Sequence, residues 1–159
     1  MNISERSEIS PEEIDWDDTR FRFRMDFDED EIQKLANNIR EVGQLNHIKV
    51  RRKGDYYQIL AGWKRAMAIY LLGDRPIIAD VYTDIPDREA YRINVADNAM
   101  REDLTDLELA HQAQTLRQQN FGIDEISKMF DCKSSKVYDL LKRARALGGE
   151  RASRPVQHA

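Results

Sequence analysis

Ile48-Lys49-Val50-Arg51-Arg52-Lys53-Gly54-Asp55-Tyr56-Tyr57-Gln58-Ile59-Leu60-Ala61-Gly62-Trp63-Lys64-Arg65-Ala66-Met67-Ala68-Ile69-Tyr70-Leu71-Leu72-Gly73 changes its structural period at Gly62. Ile48 to Arg51 reads as a strand, Lys53-Gly54-Asp55 as a turn, and Tyr56 to Ala61 as the hairpin partner. After Gly62, Ala66, Ile69, Tyr70 and Leu72 recur at helical spacing until Gly73 closes the run. Upstream, Ile32, Leu35, Ala36 and Ile39 make a one-faced helix over Asp28 to Val42, with Gly43 placed to end it. Arg20-Phe21-Arg22-Phe23-Arg24 alternates strictly, which predicts a strand with both phenylalanines on one face. Downstream, Pro76 to Tyr82 predicts a strand rich in Ile and Val. A helix over about 87–98 follows, with Ala90, Ile93, Val95 and Ala96 inward. This order of strand, helix, hairpin, helix, strand and helix makes an α+β unit with a small mixed sheet, over residues 19–100.

The flanks read differently. Residues 1–18 are acidic and lack periodicity, which predicts a flexible arm or a short edge segment. No strand is expected after residue 100. Thr105-Asp106-Leu107-Glu108 is a capping box, the threonine oxygen accepting from the Glu108 amide while the glutamate reaches back. A helix should run from there to Gln119, with further helices over about 124–130 and 134–146. That makes 101–147 an all-α domain and 148–159 a flexible tail.

Composition narrows the function classes. In 159 residues, a hydrophobic fraction of 41% supports a core. The net charge of −4 argues against coating nucleic acid by bulk charge. The charge is uneven, however: acidic residues crowd the N-terminal thirty, while Lys133, Lys136, Lys142, Arg143 and Arg145 gather near the C-terminus. A single cysteine, Cys132, rules out an intramolecular disulfide and a multi-cysteine zinc site. His47, His111 and His158 are scattered and form no metal pattern. No apolar run approaches the roughly 18–20 residues of a membrane span, and the acidic N-terminus is unlike a signal peptide. A cytoplasmic protein is the expectation.

Glu125-Ile126-Ser127-Lys128-Met129-Phe130-Asp131-Cys132-Lys133-Ser134-Ser135-Lys136-Val137 has the spacing of a helix-turn-helix. Ser127 is small enough to let two helices cross steeply. Asp131 tolerates the left-handed backbone of the turn, and Cys132 fills its small apolar slot. Val137, Leu140, Leu141 and Ala144 form the buried stripe of the second helix. Lys133, Ser134, Ser135, Lys136, Tyr138, Lys142 and Arg143 are then the candidate contacts to duplex DNA. Loss of Lys136 or Arg143 should weaken binding and lower its salt sensitivity. The competing reading is a structural helical hairpin. One misfit is an abrupt start between Gly122 and Ile126, with little room for a capped opening turn.

Several segments, in order, resemble the ParB family of partition proteins. Arg24-Met25-Asp26-Phe27 resembles its R-x-x-F pattern, and Leu35 to Arg51 its first box of helix, glycine and strand. Ile59 to Ala68 falls where the family carries I-A-G-E-R-R-x-R-A. Asp97-Asn98-Ala99-Met100-Arg101-Glu102-Asp103-Leu104 is similar to E-N-x-x-R-x-x-L. The resemblance covers about residues 20–147. It implies a domain of the ParB and sulfiredoxin type that binds CTP with magnesium and closes a dimer on DNA. By position, Gly62, Lys64, Arg65, Asn98 and Arg101 would hold the nucleotide, and Asp97 with Asn98 the magnesium. Trp63 stands in place of the glutamate that hydrolysis needs and Met67 in place of the box's last arginine, so hydrolysis is not expected. The resemblance also implies a palindromic DNA site, a homodimer, a ParA-type ATPase partner and a nucleoid-associated location. Longer members carry a C-terminal dimerisation domain, and none is read here.

Two alternatives stand beside it. A transcriptional regulator could keep the architecture without the nucleotide switch. An enzyme of the sulfiredoxin or serine-kinase type would use the phosphate box for ATP chemistry. Sulfiredoxin needs a cysteine in that box, whereas Cys132 lies elsewhere; a kinase would need Glu29, Glu31 or Glu41 as base. The acidic residues 26–31 are explained by a helix start, which favours negative charge, and do not indicate a nuclease.

Overall fold

Asp28 accepts a hydrogen bond from the Asp30 amide and starts α1, Glu29–Val42, whose first turn carries three carboxylates where the helix dipole favours them. Gly43, at φ +84°, ends it. The computed structural model describes residues 3–22, 28–98 and 104–152, without the side chains of 148–152. The chain divides into two compact units, Met1–Asn94 and Val95–Ala159.

In the first unit, β1 (Ser4–Ile9), β2 (Ile48–Lys53), β3 (Tyr56–Ala61) and β4 (Ile77–Tyr82) form one sheet in the order β1-β4-β2-β3. β2 and β4 run parallel, and the two outer pairings are antiparallel. α2, Trp63–Leu72, carries the chain from β3 to β4. One sheet face packs on α1 and α2: Ile32, Ala36, Ile39, Ala66 and Ile69 meet Ile48, Val50, Ile59, Ile77 and Ala79. Side chains alternate along each strand, so Ile77, Ala79 and Val81 face inward while Ile78, Asp80 and Tyr82 are only partly covered.

Gln58 alternates to the other face and meets a buried charge. The Arg51 guanidinium, 5% exposed, donates from Nε and Nη2 to Gln58 Oε1 at 2.9 and 2.7 Å. Its Nη1 donates to Asp87 Oδ1 at 2.9 Å, at the start of α3, Asp87–Asn98. Gln58 Nε2 donates to Asp18 Oδ2 at 2.8 Å, and Arg20 to the other Asp87 oxygen at 3.1 Å. The hydrogen bond from Arg51 holds the Asp87 carboxyl below the usual aspartate range, against a smaller opposing effect of burial. A buried guanidinium is tolerated here because its donors find acceptors.

Of the two readings of the acidic N-terminus the short edge segment is the one present, and the reading of the alternating segment is corrected. The acidic arm is an edge strand: β1 pairs with β4 along its length, Ile9 and Ile14 are buried, and a 3-10 turn over Pro11–Glu13 joins them. Charged side chains along β1 suit an exposed edge. The alternating segment is not a strand at Arg20 and Phe21, which lie in a turn. Asn94 Nδ2 donates to the Phe21 carbonyl at 2.9 Å and to that of Leu60 at 2.8 Å, and the Phe21 ring packs on Tyr91 at 4.7 Å. These long-range anchors override the local pattern. Phe23, Arg24 and the R-x-x-F residues lie outside the described residues. In α3, Ala90 and Val95 are buried as expected, Ile93 is half-buried, and Ala96 is exposed.

The second unit contains α4 (Asp106–Gln118), α5 (Ile123–Phe130) and α6 (Ser134–Ala152), and no strand among its described residues. The Thr105 capping box forms: Thr105 Oγ1 accepts from the Glu108 amide at 3.1 Å, and Glu108 Oε1 from the Thr105 amide at 3.0 Å. Ala110 and Ala113 of α4 pack on Leu140 and Ala144 of α6. The opening turn of α5 is capped after all, because Glu125 Oε1 accepts from the Gly122 amide at 2.9 Å. α6 runs past residue 146 to Ala152, into the stretch expected as tail.

Candidate functional site

Two places carry the residues singled out from the sequence, one in each unit. The first is the head of α2. Gly62 has φ +98°, and a Cβ there would lie 2.8 Å from Ile48 Cγ2 and 3.2 Å from Ile48 Cα. The strand-to-helix junction is therefore wedged against β2, which alone demands glycine. Gly62 brings no side chain to cap α2, so the first-turn amides and the helix dipole define a place suited to an anion. Lys64 and Arg65 sit on that first turn, both half-buried. Lys64 Nζ is already paired with the Glu31 carboxylate of α1.

Trp63 and Met67, the two departures from the family box, are packing residues. Trp63 is buried, meets Trp16 edge-on with centroids 6.1 Å apart, and lies under the Arg22 guanidinium at 5.8 Å. Its Nε1 is buried without a hydrogen-bond partner among the described residues. Met67 is partly buried against the same core.

Asp97 and Asn98 form the last turn of α3 and belong to the other compact unit; Arg101 lies outside the described residues. The Asp97 and Asn98 side chains both carry oxygen, the donor type magnesium prefers. No cluster of three or more His, Cys, Asp or Glu side chains able to hold a metal occurs among the described residues.

The second place is the α5–α6 pair. Ser127 is buried, and its Oγ donates to the Asp124 carbonyl at 2.8 Å, so the small side chain is satisfied without reaching outward. Asp131 adopts the left-handed conformation at φ 54°, and the Cys132 amide donates to the Ser127 carbonyl at 2.9 Å. Cys132 is half-buried, and burial pushes its thiol up.

Val137, Leu140 and Ala144 of α6 are buried, which turns Lys133, Ser135, Lys136, Tyr138, Lys142 and Arg143 outward. Ser134 is partly covered and donates to Asp124 Oδ1 at 3.3 Å. Tyr138 is 59% exposed.

Sequence reasoning missed Asp106. Its carboxylate, in the first turn of α4, lies 3.4 Å from Lys136 Nζ and 3.7 Å from Arg143 Nη1. Lys136 and Arg143 stand seven positions apart on one side of α6 and converge on this anion. The exposed face is thus split: Ser135, Tyr138 and Lys142 point away from α4, while Lys136 and Arg143 lean back to it. The capping box marks Asp106 as a helix start, but nothing local shows which cations it would meet.

Comparison with known proteins adds the following. Residues 2–99 match the ParB N-terminal domain. The chain is 34% identical over 119 residues to the chromosome-partitioning protein Spo0J of Thermus thermophilus, covering 75% of this chain and 44% of that one. It spans less than half the length of the curated relatives it matches. The C-terminally truncated chromosome-partitioning protein ParB of Caulobacter crescentus, complexed to the centromeric parS site, is similar with a TM-score of 0.60 and 25% identity. That match covers 85% of this chain and 70% of the other. The same protein complexed with CTP-gamma-S is similar with a TM-score of 0.52 and 27% identity, over 91% of this chain and 79% of the other.

Proposed function

Because the chain belongs to the ParB N-terminal domain family, we propose that it is a sequence-specific DNA-binding protein of chromosome or plasmid partition, reading duplex through α6. The observation that carries the reading is the α5–α6 junction. A buried serine at the contact and a left-handed aspartate in the turn leave the first turns of α6 exposed. These features support a helix-turn-helix reading, in which the second helix lays its N-terminal residues in the major groove. Ser135 and Tyr138 offer hydroxyls to base edges or phosphate, and Lys133 and Lys142 neutralise phosphate. The parS complex of the Caulobacter relative supports the duplex as ligand. One α6 makes few contacts, so two copies on a palindromic site supply the affinity. A ParA-type ATPase is the partner the family implies.

CTP is the nucleotide the family implies for the head of α2, supported by the CTP-gamma-S complex of the same relative. The first-turn amides with Lys64 and Arg65 suit its phosphates, Lys64 exchanging Glu31 for phosphate as it binds. Asp97 and Asn98 are the oxygen donors the family implies for magnesium. Buried Trp63 offers an N–H donor but no carboxylate to orient a water for attack, so bound nucleotide is not hydrolysed. A regulator without a nucleotide switch is the second reading, favoured by Trp63 and Met67 serving as packing residues.

Selection from random duplex, followed by gel shift with Ser135→Glu and Lys142→Ala, tests the duplex reading. Enrichment of an inverted repeat and loss of binding in both variants is the expected result; no enrichment overturns it. Calorimetry with CTP and ATP, with and without that duplex and magnesium, separates the readings. Heat with CTP alone supports the switch, and silence supports the regulator.

A further inference from the structure

The first unit has an apolar groove on its α1–α2 side that the duplex reading does not use. Trp16, Ile32, Met67, Tyr70 and Leu71 line it, with Glu29 and Gln33 at the rim. Tyr70 and Leu71, on the last turns of α2, are 56% and 55% exposed. Two neighbouring large apolar side chains left in water on one helix cost hydration free energy that a partner would recover. The groove is built, because Trp16 is fixed in place. Its Nε1 donates to the Pro11 carbonyl at 3.0 Å, and its ring packs on Tyr70 at 5.1 Å and edge-on against Trp63.

Charge selects the occupant. Tyr70 also borders an adjoining depression lined by Glu8, Glu12 and Glu13. The cation lining that depression, Arg75, is engaged by the Asp74 carboxylate at 2.8 Å and the Ile39 carbonyl at 3.0 Å. With Glu29 lining the groove itself, the apolar floor is bordered by carboxylates. An anionic lipid surface or a nucleic acid would be repelled. A second copy docked by a two-fold axis would oppose the same carboxylates to each other. A segment with apolar residues along one side and Lys or Arg beside them complements both floor and rim.

We propose that this groove is the docking site for a basic amphipathic helix of another protein. Apolar side chains at i, i+3 and i+7 would sit on Trp16, Met67 and Leu71, and flanking cations would meet Glu29 and the Glu12–Glu13 pair. This site is separate from α6 and does not depend on duplex binding.

The test uses the full chain, whose two tryptophans are Trp16 and Trp63. Three synthetic peptides of about 18 residues serve as probes: leucine at helical spacing with lysine elsewhere, the same leucines with glutamate, and serine in place of leucine with lysine. The leucine–lysine peptide should give a saturable change in tryptophan emission at one-to-one stoichiometry, and the other two should not. Leu71→Arg should weaken it at least about tenfold with circular dichroism and melting midpoint unchanged, as befits an exposed position. Equal binding by the serine–lysine peptide, or indifference to Leu71→Arg, overturns the proposal. So does concentration-dependent self-association that Leu71→Arg abolishes, which would make a second copy the occupant.

Discussion

Replacing Gly62 with alanine separates a glycine kept for packing from one kept for a phosphate. The backbone at φ +98° lies where an L side chain is strained, worth about 1–2 kcal/mol. The new methyl would also meet Ile48 Cγ2 at 2.8 Å and Cβ at 2.9 Å. Ile48 is fully buried at the start of β2 and paired with β4, so it has no room to retreat. Overpacking of that kind costs about 1–3 kcal/mol. Gly62→Ala should therefore lose about 2–5 kcal/mol in urea denaturation without any nucleotide present. Gly43→Ala is the matched control: φ is +84° and nothing lies within 4 Å of its Cβ, so only the backbone strain remains. If Gly62→Ala proves no worse than Gly43→Ala, the junction is not wedged and the reasoning fails.

Asp87→Asn should cost about 1–2 kcal/mol at neutral pH, allowing for solvent screening at its half-exposed carboxylate. The folded carboxyl is held below its unfolded range of about 3.9. The contribution is therefore complete above that range and disappears as pH falls through the lower folded value. Parent and variant denaturation curves should converge in acid; a gap independent of pH would contradict the pairing with Arg51. Asp106→Asn frees Lys136 and Arg143 and should tighten duplex binding about two- to fivefold, the scale of exposed ion pairs, with a steeper salt slope in anisotropy titrations. Unchanged or weaker affinity would show that these cations are not recruited. Trp63→Glu, which restores the residue type of the family box, should destabilise by at least about 3 kcal/mol and yield no hydrolysis. A stable variant that releases inorganic phosphate from CTP would reverse that reading of Trp63.

Legibility in the sequence followed the locality of the cause. α1 could be read because Ile32, Ala36 and Ile39 repeat at helical spacing and are all buried, with Asp28 and Gly43 as punctuation. The capping box at Thr105 and the left-handed Asp131 were readable for the same reason: each is decided within a few residues. β1 was harder, since in SERSEI only Ile9 is buried and the strand exists through pairing with β4, whose partners run from Ile77 opposite Ile9 to Tyr82 opposite Ser4. The turn at Phe21 is likewise imposed from Asn94 and Tyr91. At the candidate sites the residue types were visible and their partners were not. Glu31 lies 33 positions from Lys64, and Asp106 lies 30 from Lys136. Both pairings exist because helices far apart in sequence pack together, and no local period records that.

Amide chemical-shift mapping with the selected duplex tests the central claim most directly. Titrated into isotope-labelled chain, the duplex should perturb residues 133–142 first and most strongly, with Ser135, Tyr138 and Lys142 ahead of the buried Val137 and Leu140. Perturbations confined to the sheet unit, with α6 silent at saturation, would contradict it.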